Sequence, residues 1–252
     1  MKHIAAALLA LMLPATAANA ALPPISNLGF ESALSGWTPI GNAFSTASTA
    51  VTTYDSTVWT ILAYETAMAQ LNSNGAAVGT IESTLGLTAG TLQALDTTQT
   101  LTNGAAIYQD FAATAGDTIS MYFNFVARDY VPFNDPAFAV LYNLSTSSVS
   151  TALALASIHG AGATVGTSGN TGWNQVLLST PTTGNYRLAF VTTNSADQAL
   201  DSALFIDSGQ GSCVPNCPPT AEATNTPEPA SLALLGAGLL GLTALRRRRK
   251  AG

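Results

Sequence analysis

Residues Thr118–Val126 read Thr-Ile-Ser-Met-Tyr-Phe-Asn-Phe-Val, which puts Ile119, Met121, Phe123 and Phe125 at every second position with Ser120, Tyr122 and Asn124 between them. Successive side chains of an extended chain point to opposite faces, so this spacing predicts a strand with one face in a core. A helix would scatter the four apolar side chains around its circumference. Further strands are expected over 106–111, 137–142, Asn174–Ser179, 185–193 and Ala203–Asp207, with turn chemistry at 113–117 and 182–185. Short strands at this spacing predict an all-β fold, an antiparallel β-sandwich occupying residues 21–211. Two stretches, 58–69 and 80–101, fit either a helix or a strand, and no internal repeat is present.

The two ends follow different rules. Lys2 and His3, an apolar run over 4–13 and the small-residue site Ala18-Asn19-Ala20 form the three parts of a signal peptide, a short leader helix that signal peptidase is expected to remove after Ala20. The run is too short to span a bilayer unaided. Residues 212–226 hold Pro215, Pro218 and Pro219 and read as a linker. Within it Cys213 and Cys217 are expected to close a local disulfide rather than bind metal, because no second Cys or His pair accompanies them. Residues 227–250 start with Pro227-Glu228-Pro229, continue uncharged over 230–245 and end on Arg246, Arg247, Arg248, Arg249 and Lys250. As a transmembrane-like helix the uncharged segment reaches roughly 24 Å against a hydrocarbon core of about 30 Å, which suits transient retention in the inner membrane. The basic end is expected on the cytoplasmic side, leaving the bulk of the chain outside.

A Pro-Glu-Pro, a Gly- and Leu-rich span and a terminal arginine cluster, in that order, resemble the PEP-CTERM sorting signal of Gram-negative bacteria. The resemblance implies an exosortase as partner, cutting near Pro227-Glu228-Pro229 and delivering the protein to the cell surface or extracellular matrix. Between leader and tail only Arg128 and Arg187 are basic, against thirteen acids, a net charge of about −11 with no lysine. Phosphate contacts need clustered Lys and Arg, so nucleic acid is excluded as a partner and anionic lipid is disfavoured. Divalent cations and neutral polymers are the more natural partners. Charged residues are scarce, so solubility rests on hydroxyls and amides, and the abundant Thr and Ser also offer O-glycosylation sites.

Near the start of the body, Asn27-Leu28-Gly29-Phe30-Glu31 followed by Ser35-Gly36-Trp37 resembles the opening of jelly-roll carbohydrate-binding modules of galactose-binding type. That resemblance implies a structural calcium ion held by Glu31 and by Asp207, although Ser208-Gly209 stands where a second acid is usual. Ca²⁺ takes six to eight hard oxygen ligands and can pin chain ends that would otherwise fray. The bland alternative is a solvated Glu and Asp.

Arg128-Asp129-Tyr130-Val131-Pro132-Phe133-Asn134-Asp135 resembles a loop found between central strands of exported PEP-CTERM proteins. Asp129, Asn134 and Asp135 beside two aromatics offer oxygens for a second cation or a sugar, with Asp197 and Asp201 as further contributors. The competing reading is a rigid Asx-and-Pro turn whose carboxylates bond backbone amides. Trp59 and Tyr130 are the candidate stacking platforms for a sugar ring, whereas Trp37 and Trp173 are expected in the core. No G-x-S-x-G, H-E-x-x-H or phosphate-binding glycine loop occurs, and His159 is the one histidine of the body, so an enzyme is not expected.

Together these features predict a non-catalytic surface protein that binds or organises extracellular polysaccharide. A glycosylated structural or adhesive coat protein, with calcium serving stability alone, is one alternative. Ice binding is another, although Thr pairs such as Thr52-Thr53 and Thr192-Thr193 are scattered rather than laddered.

Overall fold

Alternation in Thr118–Val126 does place Ile119, Met121, Phe123 and Phe125 in a core, in a computed structural model that describes residues 24–208. The leader with Ala18 and Ala20, the linker with Cys213 and Cys217, and the tail from Pro227 to Lys250 lie outside the described residues. The chain runs β1 (Thr38–Ile40), β2 (Ala43–Thr46), β3 (Thr49–Thr52), β4 (Val58–Ile61), β5 (Met68–Asn72), β6 (Ala76–Ala77), α1 (Val78–Leu85) and α2 (Thr91–Leu95). It continues through β7 (Leu101–Ala113), β8 (Thr118–Val126), β9 (Pro136–Asn143), β10 (Ser148–Ser157), β11 (Ala163–Thr164), β12 (Asn174–Ser179), β13 (Gly184–Ser195) and β14 (Ala203–Asp207).

One sheet has the order β1-β7-β13-β9-β10-β11 with β6 added on β7; the other has the order β12-β8-β14-β5-β2. The sheets are antiparallel except that β10 and β11 pair in parallel, so the larger one is mixed rather than purely antiparallel as predicted. Side chains from the inner faces meet in the main core, where Phe123 and Phe125 of β8 join Ile107 and Phe111 of β7, Leu141 of β9 and Leu188 and Phe190 of β13. Fully burying one such side chain stabilises the fold by about 1.5–3 kcal/mol. Phe30 and Trp37 close one end of this core with ring centroids 5.3 Å apart, and the Trp37 indole N–H donates to the Asn27 carbonyl.

The outer face of the larger sheet is also covered. Ala106, Phe138, Val140, Ala189 and Val191 pack against Val78, Ile81 and Leu85 of α1 and Leu92 of α2. This explains why 137–142 is apolar without alternation, as expected of a strand buried on both faces. The undecided stretch 80–101 therefore contains two short helices. Val78, Ile81 and Leu85 recur at helical spacing, and Gly86 ends α1 at φ +83°. The buried Glu82 carboxylate accepts the amides of Gly90 and Leu92 at 2.9 and 2.8 Å, occupying donors that the start of α2 would leave orphaned.

The other undecided stretch, 58–69, is extended: β4 and the beginning of β5. Strands β3 and β4 pair as a hairpin, and Val51 and Ile61 on it pack onto Met68, Val126, Ala203 and Phe205 on the outer face of the smaller sheet. Strand β8 is consequently buried on both faces rather than half-buried as predicted, with Tyr122 and Asn124 lying out of solvent.

Candidate functional site

The turn between β3 and β4 carries Tyr54 away from the hairpin and onto the loop that follows β8. The Tyr54 amide donates to the Arg128 carbonyl at 3.1 Å, and the Tyr54 and Tyr130 rings pack against each other with centroids 4.6 Å apart and planes tilted by 39°. Tyr130 in turn meets Phe133 edge-on at 5.4 Å. Asp55 shapes the turn by accepting from Thr53 Oγ1 and from the Thr57 amide at 2.7 and 3.0 Å, and these bonds hold its carboxyl well below the usual range. On β4, the Trp59 indole N–H donates to the Ser168 carbonyl at 2.8 Å, and the Ser168 amide donates to the carbonyl of Asp129, next to Tyr130. Several apolar side chains of these segments nonetheless stay open: Tyr54 is 48% exposed, Val131 51% and Trp59 36%.

The oxygen-bearing residues of the loop diverge. Asn134 donates through its amide nitrogen to Asp96 at 2.9 Å and accepts the His159 amide at 2.9 Å. Asp135 turns into the interior, accepting from the Ser202 hydroxyl and amide at 2.7 and 3.2 Å and from the Ser195 amide at 3.3 Å. Asp129 accepts the Tyr130 amide at 2.8 Å. The side chains thus bond mainly to backbone amides, as the rigid-turn reading expects, rather than meeting round one point. Burial pushes Asp135 up to about 7, with the nearby Asp129 charge adding to the shift. Burial likewise raises Asp129 to about 6, assisted by Asp197. Asp197 therefore approaches the loop as expected, while the Asp201 carboxylate bonds Asn74 and Asn194.

Glu31 and Asp207 do come together, flanking Gly29: a Cβ built on that glycine would lie 3.8 Å from Asp207 Oδ1 and 3.8 Å from Glu31 Cγ. Both carboxylates hold the loop between β4 and β5. Glu31 accepts the Thr66 and Ala67 amides at 3.2 Å as well as the Thr66 hydroxyl, and Asp207 accepts the Tyr64 amide at 3.0 Å. Burial raises Asp207 to about 7, and the Glu31 and Glu65 charges act in the same direction. Burial also opposes ionisation of Glu31, but the bonds from Thr66 and Ala67 outweigh it and lower its value. Hard oxygens with surplus negative charge match calcium chemistry. Among the described residues, however, no three His, Cys, Asp or Glu side chains form a group able to hold a metal ion.

Trp37 is buried as expected. Trp173 is only half-buried, packed on Tyr64 at 5.4 Å with its indole N–H donating to the Leu62 carbonyl. The His159 ring N–H donates to the Pro132 carbonyl at 2.7 Å, bracing the loop from below. Of the two threonine pairs, Thr53, Thr192 and Thr193 are buried and Thr52 is exposed. Sequence reasoning missed Tyr54. Its signal was an aromatic inside an otherwise polar turn, Thr53-Tyr54-Asp55-Ser56, between two β-branched runs.

The protein is thus a two-sheet β-sandwich bearing an exposed aromatic shelf. Residues 225–249 match the PEP-CTERM protein-sorting motif, so the chain carries a signal for export and sorting to the cell surface. No curated protein matches the chain at significance. Among solved structures, the carbohydrate-binding module TmCBM61 in complex with β-1,4-galactotriose is similar at 12% identity and TM-score 0.38, covering 74% of this chain and 94% of that one. The enzymatically active domain of tailspike protein 4 of bacteriophage CBA120 is similar at 10% identity and TM-score 0.36, covering 73% and 20%. An adhesin domain of Lys-gingipain from Porphyromonas gingivalis is similar at 11% identity and TM-score 0.35, covering 71% and 93%.

Proposed function

We propose that this is a non-catalytic cell-surface protein, sorted by an exosortase, that binds extracellular polysaccharide on the shelf formed by Tyr54, Tyr130 and Trp59. The observation that carries the reading is the tilted Tyr54–Tyr130 ring pair at 4.6 Å, held by backbone and loop, with Tyr54 48% exposed and Tyr130 half-buried. Leaving such rings exposed forgoes the stabilisation their burial would provide, and the faces of sugar rings are apolar enough to recover it. Trp59, pinned by its N–H, extends the platform without having to be ordered on binding.

Calcium at Glu31 and Asp207 belongs to the same proposal as a stabilising ion. Its role would be to neutralise carboxylates that the fold crowds together and to fix the start of the body against its last strand. A glycan array probed with the secreted protein, with and without chelator, tests both parts. Glycan binding that disappears in Tyr54→Ala supports the shelf. No glycan hit, together with a melting temperature lowered by chelator, would leave a purely structural coat role instead.

A further inference from the structure

Between Glu31 and Asp207 the chain has only two basic side chains, and the fold uses them differently. Arg187 is fully committed: it forms an ion pair with Asp110 at 2.6 Å, donates to the Thr84 carbonyl and lies 4.2 Å from the centre of the Tyr108 ring. Arg128 has no such partners. Its Nε–H donates to the Thr52 carbonyl at 3.3 Å, and among the described residues its four remaining guanidinium N–H groups make no hydrogen bond and no ion pair. Asp129, its neighbour in sequence, instead accepts the Tyr130 amide.

The place of this uncommitted cation is well defined. Its backbone is held on one side by the Ser202 hydroxyl and on the other by the Tyr54 amide. Its side chain is anchored at Thr52, two residues before Tyr54, and Arg128 itself stands two residues before Tyr130. The guanidinium is thus tied to the strand end that leads into the turn bearing Tyr54. A guanidinium presents N–H groups in a planar fork that fits a carboxylate, and such charge-assisted bonds are roughly twice as strong as neutral ones.

We propose that Arg128 recognises the carboxylate of a uronic acid residue while Tyr54 and Tyr130 stack on the sugar rings beside it, an assignment that rests on the shelf being the glycan site. A largely neutral polymer bearing such acids at intervals is favoured over a dense polyanion. The body's net charge of about −11 repels a polyanion, whereas a single contact at the shelf lies inside the screening length of about 8 Å at physiological salt.

The test is affinity electrophoresis of the secreted protein in chelator, which removes bridging by divalent cations. The probes are glucuronoxylan, gellan and polygalacturonate, each native and after carbodiimide–borohydride reduction of its carboxylates to alcohols. Neutral xylan and galactan serve as uncharged references. The expected result is that at least one native acidic polymer binds about tenfold or more tightly than its reduced form, and that Arg128→Gln removes this preference while retaining the weaker binding. Tyr54→Ala should weaken both. Equal binding of native and reduced polymers, or a preference that survives Arg128→Gln, would overturn the assignment but leave the shelf intact. Absence of binding to every acidic and neutral polymer would instead remove the shelf reading, and this assignment with it.

Discussion

Tyr54 and Tyr130 pack as a tilted ring pair with centroids 4.6 Å apart, joining the tip of a surface hairpin to a loop between two central strands. Neither residue could form the shelf alone, because each ring supplies the wall against which the other is held. Replacing Tyr54 by alanine should therefore weaken glycan binding roughly tenfold, a cost of about 1.4 kcal/mol, while lowering stability by about 0.5–1.5 kcal/mol, the worth of the ring pair, because half of the ring is already exposed. Titration of both forms with the best array ligand, beside thermal melts, checks this. A normal affinity in Tyr54→Ala would rule the shelf out.

Glu82 gives a prediction about the helical layer. Its carboxylate satisfies two amides at the start of α2, so Glu82→Ala should leave the buried Leu92 amide without a partner and the exposed Gly90 amide to water. The expected loss is about 1–3 kcal/mol in urea unfolding. A loss indistinguishable from zero would mean that water replaces the carboxylate fully.

Three carboxylates set the pH response. Asp129, Asp135 and Asp207 have folded values raised to about 6, 7 and 7, burial being the first cause in each case. A raised acid holds its proton more tightly in the folded state, so between about pH 4 and 7 the folded chain binds more protons than the unfolded one. In chelator the melting temperature should therefore fall as pH rises through that window and level off above it. Glu31, Asp96 and Asp117, which are lowered, act in the opposite sense and only at more acidic pH. Asp135→Asn should flatten part of the slope, and saturating calcium should flatten the part due to Asp207. A melting temperature that rises steadily from pH 5 to 7 in chelator would contradict the burial of these groups.

The sorting motif predicts a mass. Intact-mass measurement of the surface-exposed protein should find Arg246 to Lys250 missing, with the new terminus near Pro227-Glu228-Pro229. Persistence of the basic end would indicate a plain membrane anchor.

How much of this was legible in the sequence depended on whether the signal was local. The core face of β8 was readable because period-two alternation is written within nine residues. Its outer face is not legible because what covers it lies far away in the chain: Val51 and Ile61 of the hairpin pack with Val126, and Tyr64 lies on Tyr122 with ring centroids 5.1 Å apart. Glu31 and Asp207 were paired by motif, and the fold does bring them to the two sides of Gly29. Asn134 and Asp135 were grouped by adjacency, yet neighbouring residues of a turn face different ways, one towards Asp96 and the other towards Ser202. Tyr54 escaped notice because its partner is contributed by the other side of the hairpin contact.

The last strand among the described residues, β14, is flanked by β8 on one side and β5 on the other. For a protein held at its C-terminal side and loaded by whatever grips its shelf, tension enters through a strand laddered on both edges. Pulling along such a strand strains its two ladders together in shear instead of opening them one bond at a time as peeling an edge strand would. Resistance to drag is then set by how slowly this central strand slips rather than by equilibrium stability, since forced rupture follows the unfolding rate.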